Sequence, residues 1–498
     1  MKPILLPFLF LLPLIAISQS ITVGDAGDYP TLSATESVLQ AGDTVLLLEQ
    51  VFDDGTQFLT GVQGTAAAPI VIMANPGASP IFRGGTEAIH LVNCRHVELN
   101  GITVEQQTGN GINIDDGGDY STPAAHITVR NCTFRDMAAS GNNDLLKLSG
   151  LDSFLIENCT FTNGGAGGSG IDMVGCHWGL IQDCEMEAAG VTGIQNKGGT
   201  RFITIRRNTF RNMSQRALNL GGSTGLQFFR PPLPDPIENA YEASDIEVYA
   251  NIFINNWAPI AYVGATNIVV RNNTFYSPDN WVLRILQENT NPGFPPCQNN
   301  EFSNNIIYLE SDLTEVNVGP NTLPETFIFS HNLWYNANND NWAPQLPTSS
   351  EQQLIGDPQF TAVGAEDFIL LMSSPAIGTG FSFGEPNTDF FGATFATPPS
   401  RGAIAGDPIN SVDPIISPLL SVTVYPNPSR DQIKAEWDFG PAHVRLFDQQ
   451  GGLLRQYSSA ISPLFIFLED TPAGSYWLQW EVLESGQKII RQLIISGD

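Results

Sequence analysis

The stretch Val129-Arg-Asn-Cys-Thr-Phe134 recurs as Ile156-Glu-Asn-Cys-Thr-Phe161 and as Ile181-Gln-Asp-Cys-Glu-Met186. Further copies are Ile205-Arg-Arg-Asn-Thr-Phe210, Val248-Tyr-Ala-Asn-Ile-Phe253, Val270-Arg-Asn-Asn-Thr-Phe275, Phe302-Ser-Asn-Asn-Ile-Ile307 and Phe329-Ser-His-Asn-Leu-Trp334. The spacing is mostly 22 to 27 residues. A single coil of that length cannot bury its apolar face, but stacked copies can. The repeat therefore predicts an all-β fold, a right-handed single-stranded parallel β-helix of about eleven coils. Wider gaps at 205–248 and 96–129 predict inserted loops.

One column of the repeat reads Cys132, Cys159, Cys184, Asn208, Asn251, Asn273, Asn305 and Asn332. Like side chains stack across coils, and stacked Asn amides hydrogen-bond along the ladder. These residues are expected in the core. Six cysteines in 498 residues make no disulfide scaffold. No CxxC pair or His cluster accompanies them to hold zinc.

A second column aligns Asn93, Asp116, Gly150, Gly175, Gly198, Gly221, Gly264 and Gln287. Residues two and four places earlier are mostly apolar and should point inward by the period-2 rule. The alternate positions then face solvent. They carry His90, Asn113, Asp115, Lys147, Asp172, Gln195, Lys197, Arg216 and Arg284. Asn196 and Asn219 are expected inward. Neighbouring coils lie about 4.8 Å apart, so Asp172, Lys197 and Arg216 are expected within reach of one ligand.

The charge pattern suggests what that ligand is. The chain carries 22 basic against 51 acidic residues, a formal charge of −29, which disfavours nucleic acid as a partner. Yet 188–234 holds Lys197, Arg201, Arg206, Arg207, Arg211, Arg216 and Arg230 with no acid. A basic patch on an acidic scaffold points to an anionic ligand, for an exported protein an acidic polysaccharide. The run Gly221-Gly-Ser-Thr-Gly225-Leu-Gln-Phe-Phe-Arg230 opens the inserted loop. Phe228, Phe229 and Arg230 are expected to form a platform and clamp over a sugar ring.

Both ends read as processing signals. Met1-Lys2, an apolar run Ile4 to Ile17 and Ser18-Gln19-Ser20 read as a signal peptide, 1–20. No later stretch is apolar enough for a membrane span. A β-helix domain is expected over 21–408, a Pro- and Ser-containing linker over 409–419 and a β-sandwich over 420–498. In that last piece Tyr425-Pro-Asn-Pro428, Gly474-Ser-Tyr-Trp-Leu478 and Lys488-Ile-Ile-Arg-Gln-Leu-Ile-Ile495 resemble the type IX secretion sorting domain of Bacteroidetes. That resemblance implies the secretion machinery as a partner, and a secreted or outer-membrane surface-attached protein.

A uronic-acid polysaccharide is cut by β-elimination once its carboxylate is neutralised and a base removes the C5 proton. Crowded cations favour the neutral amine that such a base needs. Lys197 with Arg216 suits that scheme, with Asp172 beside them. Lys147, Gln195, His90, Asp115, Arg284, Arg230, Phe228 and Phe229 are the candidates for substrate binding. Oxygen ligands for Ca²⁺, the one cofactor considered, are Asp115, Asn143, Asp144 and Asp172.

The β-helix with an outward Lys and a later Arg resembles the polysaccharide lyases that include chondroitinase B and alginate lyases. The resemblance implies a Lys base paired with an Arg, here Lys197 and Arg216. The acidic pair those enzymes place before the lysine is absent, since this chain has Gly193-Ile-Gln-Asn196 there. Glycoside hydrolysis is the first alternative. It needs two carboxyl groups, with Asp115 and Asp172 as candidates. A non-catalytic polysaccharide-binding or surface protein is the second.

Overall fold

The computed structural model describes residues 18–120, 124–384 and 388–406, and near the C-terminus 422–425, 429, 432–437, 440–447, 453–468, 471–483 and 488–495. Most of the expected signal peptide (1–17) and the whole linker (409–419) lie outside the described residues. The chain divides into two compact units, Met1–Pro408 and Ile409–Asp498.

The first unit is a three-sided right-handed parallel β-helix. Its sides are parallel sheets of fourteen, twelve and ten strands. Each coil gives one strand to each sheet, and the next coil pairs with it in parallel register. Ile127, Phe154, Gly179, Ile203 and Ile246, for example, run across five successive coils of the largest sheet. Thirteen strands follow one another along that sheet's path, two more than expected. The second unit pairs its described strands in antiparallel sheets of three and four, as a small sandwich would. Among the described residues no helix is long and apolar enough to cross a membrane.

Like residues stack inside the first unit. Phe134 lies on Phe161 with centroids 4.7 Å apart, Phe210 on Phe253 at 5.0 Å, and Phe253 on Phe275 at 4.7 Å. Those spacings are the coil rise itself. Each stacked pair adds about 0.5–1.5 kcal/mol beyond its burial. The Asn column forms a continuous ladder, each Nδ2 donating to the next Oδ1 from Asn208 through Asn251, Asn273 and Asn305 to Asn332. The cysteine column lies below it, buried and unpaired by disulfides. Cys184 N–H donates to Asn208 Oδ1 at 3.0 Å, which joins the two columns. The residue before each ladder position, such as Asn131, Asn158, Asp183 and Asn272, has a positive φ. That turn is one Asn and Asp tolerate well, and it accounts for the Asn-rich corners of the repeat.

The ten-stranded sheet carries the candidate site. Ile89, Ile112, Leu146, Ile171, Ile194, Leu218 and Ile260 align across it, all fully buried. One expectation is corrected here. Gly222, not Gly221, falls in register with Gly198, because Leu218 pairs with Ile194 and Leu220 with Asn196. Asn219 therefore stands on the outer face beside Gln195. Asn196 is inward as expected and fully buried.

Candidate functional site

The outer face of the ten-stranded sheet presents two adjacent columns. One runs His90, Asn113, Lys147, Asp172, Gln195 and Asn219. The other, two residues on, includes Asp115, Ser149, Val174 and Lys197. They form one wall of an open groove of about 810 Å³. Its lining includes His90, Asp115, Asp116, Lys147, Lys197 and Phe228.

The loop between the strands Arg216–Gly221 and Ala243–Tyr249 builds the opposite wall. Its base is fastened by Glu242, a fully buried carboxylate that repeat reasoning passed over. Glu242 accepts hydrogen bonds from Gly198 N–H, Thr224 N–H, the Thr224 hydroxyl and the Asn289 amide at 2.7–3.0 Å. Tyr120 clasps the loop from the other side, its hydroxyl donating to Gln227 O at 2.7 Å. Phe228 is left half exposed at the rim.

Arg230 and Phe229 serve the loop rather than the groove, which corrects the expected clamp. The Arg230 guanidinium makes a two-pronged pair with Asp152 at 2.5 and 2.7 Å and donates to Gly175 O at 3.1 Å. This pair holds Asp152 down at about 2: burial alone would raise it, but the bonds from Arg230 and His177 outweigh that. Phe229 is buried edge-on against Phe294, with ring centroids 5.4 Å apart. With its guanidinium and its neighbour's ring both committed, the loop's inner turn is a packing device.

Two charged clusters lie in the groove. In the first, Asp172 is 1% exposed although it points outward, because two lysines cover it. Lys147 Nζ pairs with Asp172 Oδ2, and Lys197 Nζ lies 3.1 Å from Asp172 Oδ1. Lys147 also lies 3.7 Å from Asp144 Oδ2. Burial, followed by the charge of Asp172, pushes Asp144 up to about 6. Lys147 is held above its usual value, since Asp172 and Asp144 together outweigh the burial that would lower it.

The carboxylates expected to hold Ca²⁺ face cations of the protein itself. Lys147 and Lys197 pair with Asp172 and Lys147 lies 3.7 Å from Asp144, while the Asn143 amide nitrogen donates to Ser140 O at 2.6 Å. Asp115 is taken by His90 and by Gly117 N–H at 2.8 Å. Among the described residues no three acidic or imidazole groups are placed to hold a metal ion. This set does not fit a dication, and no chemical step is assigned through one.

In the second cluster His90 Nε2 lies 2.6 Å from Asp115 Oδ2 and Nδ1 lies 3.0 Å from Glu87 Oε2. Bonds to Asp115 and Glu87 raise His90 to about 9, against the effect of burial. His90 is therefore an imidazolium at neutral pH. Beside this cluster Asp116 is buried, and burial raises its carboxyl. Its Oδ2 has no hydrogen-bond partner. Glycine at 150 is required here, because a Cβ would collide with that carboxylate.

A pH dependence follows from His90. Its folded-state value of about 9 exceeds the unfolded value near 6.5. The stabilisation is complete below pH 6.5 and is lost as pH rises through 9. The melting temperature is expected to fall between pH 7 and 10, and His90→Gln to flatten that slope. An unchanged slope in the variant would remove His90 as its source.

The remaining candidates sit further along the face, outside the groove lining. Arg216 donates to Asn219 Oδ1 at 2.9 Å and to Glu288 Oε1 at 3.1 Å. Lys197 and Arg216 are thus drawn to different partners, not to one another. Arg284 stacks on Trp281 at 4.4 Å, faces Trp257 at 5.8 Å and donates to Asn317 at 3.0 Å. The Gln195 amide lies against Gly222. The basic stretch 188–234 forms no single patch. Arg207 pairs with Asp183, Arg211 with Glu366, and Arg206 donates to Gln182 and Tyr249, each away from the groove.

Comparison with known proteins agrees with this architecture. Residues 81–230 match the family model described as right handed beta helix region. Residues 423–496 match the model described as secretion system C-terminal sorting domain. That domain marks the chain for export, either released or attached at the outer-membrane surface. No curated protein matches the chain. Among solved structures, pectate lyase Pel9A aligns at 13% identity with a TM-score of 0.49, covering 79% of this chain and 98% of that one. An alginate lyase from Paenibacillus sp. str. FPU-7 aligns at 15% identity with a TM-score of 0.40, covering 64% and 99%. A rhamnogalacturonan lyase aligns at 12% identity with a TM-score of 0.41, covering 69% and 91%. At these identities the likeness is one of fold.

Proposed function

We propose that the groove binds an acidic, uronate-containing polysaccharide and cleaves it by β-elimination. The observation that carries this reading is the pair of ammonium groups, Lys147 and Lys197, on either side of Asp172 in the wall of an open groove. Lys147 supplies positive charge for a sugar carboxylate, which lowers the cost of developing charge at C5. Lys197 is the base. Asp172, with Oδ1 3.1 Å away, holds it in position, and the ammonium proton passes to water before the amine acts. The amine then takes the C5 proton, the C5–H electrons form the C4–C5 double bond, and the C4–O bond breaks. The Tyr120 hydroxyl lines the groove but already donates to Gln227 O, so the leaving oxygen takes its proton from water. Arg216, without a place in the groove, has no role in this step.

A second reading rests on Asp115 and Asp116. One carboxyl is paired to a cation and its neighbour is raised by burial, the division of roles that glycoside hydrolysis uses. One experiment separates the two. The exported protein is mixed with alginate, chondroitin, hyaluronan, pectate, heparan and ulvan. The ultraviolet absorbance of the new double bond and the reducing ends are followed together. Both rising on one polymer is expected. Reducing ends without absorbance would transfer the activity to the acid pair, and neither on any polymer would sink both readings.

A further inference from the structure

An interrupted ladder of ring side chains runs along the fourteen-stranded sheet, on a different side of the β-helix. His96, His126, Ser153, Trp178 and Phe202 occupy the same place in five successive coils. All five have positive φ, between 51° and 59°. Their side chains stand as fins whose ring faces point along the helix axis. His96 stacks on His126 with centroids 4.2 Å apart and planes 5° from parallel. Trp178 stacks on Phe202 at 5.7 Å and 13°. Between the two pairs the ladder has a missing rung, because the middle residue is Ser153.

The gap has a defined size. His126 and Trp178 are two coils apart, about 9.6 Å. A guest ring centred over Ser153 would lie about 4.8 Å from each wall, the separation at which rings stack. The gap opens into a groove of about 570 Å³, whose floor includes Thr128, Leu155 and Leu180. Beneath it, Gly179 leaves room in the core for the Phe154 ring, which a Cβ there would overlap.

Trp178 and Phe202 are 53% and 43% exposed. A bulky residue in the left-handed region costs roughly 1–2 kcal/mol, and burial here repays little of it. Strain retained at an exposed aromatic position is a mark of a binding site.

We propose that this slot clamps one pyranose ring of a neutral glycan between His126 and Trp178. The walls present two apolar ring faces, and the residues beneath the slot, Thr128, Leu155 and Leu180, carry no charge. Burial, His126 and Arg95 pull His96 below its usual value. Hydroxyls find partners at the edge in Ser153 and Thr128, both of which line the groove. This site does not rest on the catalytic reading of the groove.

The test is a titration of the purified protein with cellohexaose, mannohexaose and chitohexaose, followed by calorimetry and by indole emission. Saturable binding of at least one is expected. Ser153→Trp fills the missing rung, and Trp178→Ala removes a wall. Each is expected to weaken binding about tenfold or more. Because Ser153→Trp adds a ring at a φ that Trp178 already adopts, loss of binding in it reports the slot and not unfolding. Binding of none of the three sugars, or full binding by Ser153→Trp, would overturn the proposal. A concentration-dependent dimer that Ser153→Trp dissociates would assign the slot to a second copy of the chain instead.

Discussion

Lys197→Ala is expected to lower kcat for polysaccharide cleavage by about 10²–10⁴-fold, the contribution of a positioned base, with little change in KM. The fold is expected to survive. Asp172 loses one counter-ion but keeps Lys147 on its other oxygen, so no buried carboxylate is left alone. Lys197→Arg separates base from charge. A guanidinium preserves the pair with Asp172 but does not deprotonate in proteins. If Lys197 takes the C5 proton, the Arg variant stays as inactive as the Ala variant. If Lys197 only neutralises the substrate, Arg restores much of the rate and the base must be sought elsewhere in the groove. Lys147→Ala is the contrasting change. It removes a cation that both holds the sugar carboxylate and offsets the charge developing at C5, so KM rises and kcat falls together.

The fold was legible because a β-helix repeats its chemistry once per coil. The column Cys132 to Asn332 holds its place in every coil, and stacking rewards identical side chains. The site was less legible, for two physical reasons. The first is that neighbours in sequence part company in space. Arg206 and Lys197 are nine residues apart, yet they belong to different sheets. A count of cations along 188–234 therefore measured no surface patch. The second is register beside an inserted loop. Gly221-Gly222 allowed either alignment by eye, and only the burial of Leu218 and Leu220 decides between them. One residue of slip turned Asn219 inward on paper, as any period-2 element would. The pairing of His90 with Asp115 follows from adjacent strands two residues out of step, and alignment does contain it. The ring slot also left a trace. His126, Ser153, Trp178 and Phe202 each stand six residues before Cys132, Cys159, Cys184 and Asn208.

Asn273→Leu is expected to destabilise the β-helix by about 3–5 kcal/mol, far more than an isosteric change elsewhere in the core. Asn273 sits in mid-ladder and is fully buried. Its Oδ1 accepts from Asn251 N–H and Asn251 Nδ2, both at 3.0 Å. Its Nδ2 donates to Val248 O, Arg271 O and Asn305 Oδ1 at 2.9–3.1 Å. Leucine keeps the branching of the side chain, is somewhat larger, and removes all five bonds. The Asn251 N–H is then orphaned in a dry corner, at roughly 1–3 kcal/mol. The lost bonds to carbonyls and amides add about 1 kcal/mol each where no other partner compensates. Cys159→Ala in the same column supplies the comparison. Its thiol makes only long bonds of 3.3 and 3.6 Å to Glu157 O and Val129 O, so its loss is mostly one of volume. The measurement is a pair of urea-unfolding curves with amide exchange on both variants. Coils interact only with their neighbours, so the Asn273→Leu damage should appear as faster exchange at Asn251 and in the coils on either side, and not at the distant Phe134–Phe161 stack. Uniform acceleration along the whole unit would mean that the ladder's bonds are shared cooperatively over every coil. An unchanged midpoint would mean that water or backbone shifts replace them at no cost, and the ladder would then be a consequence of the stack and not a cause of it.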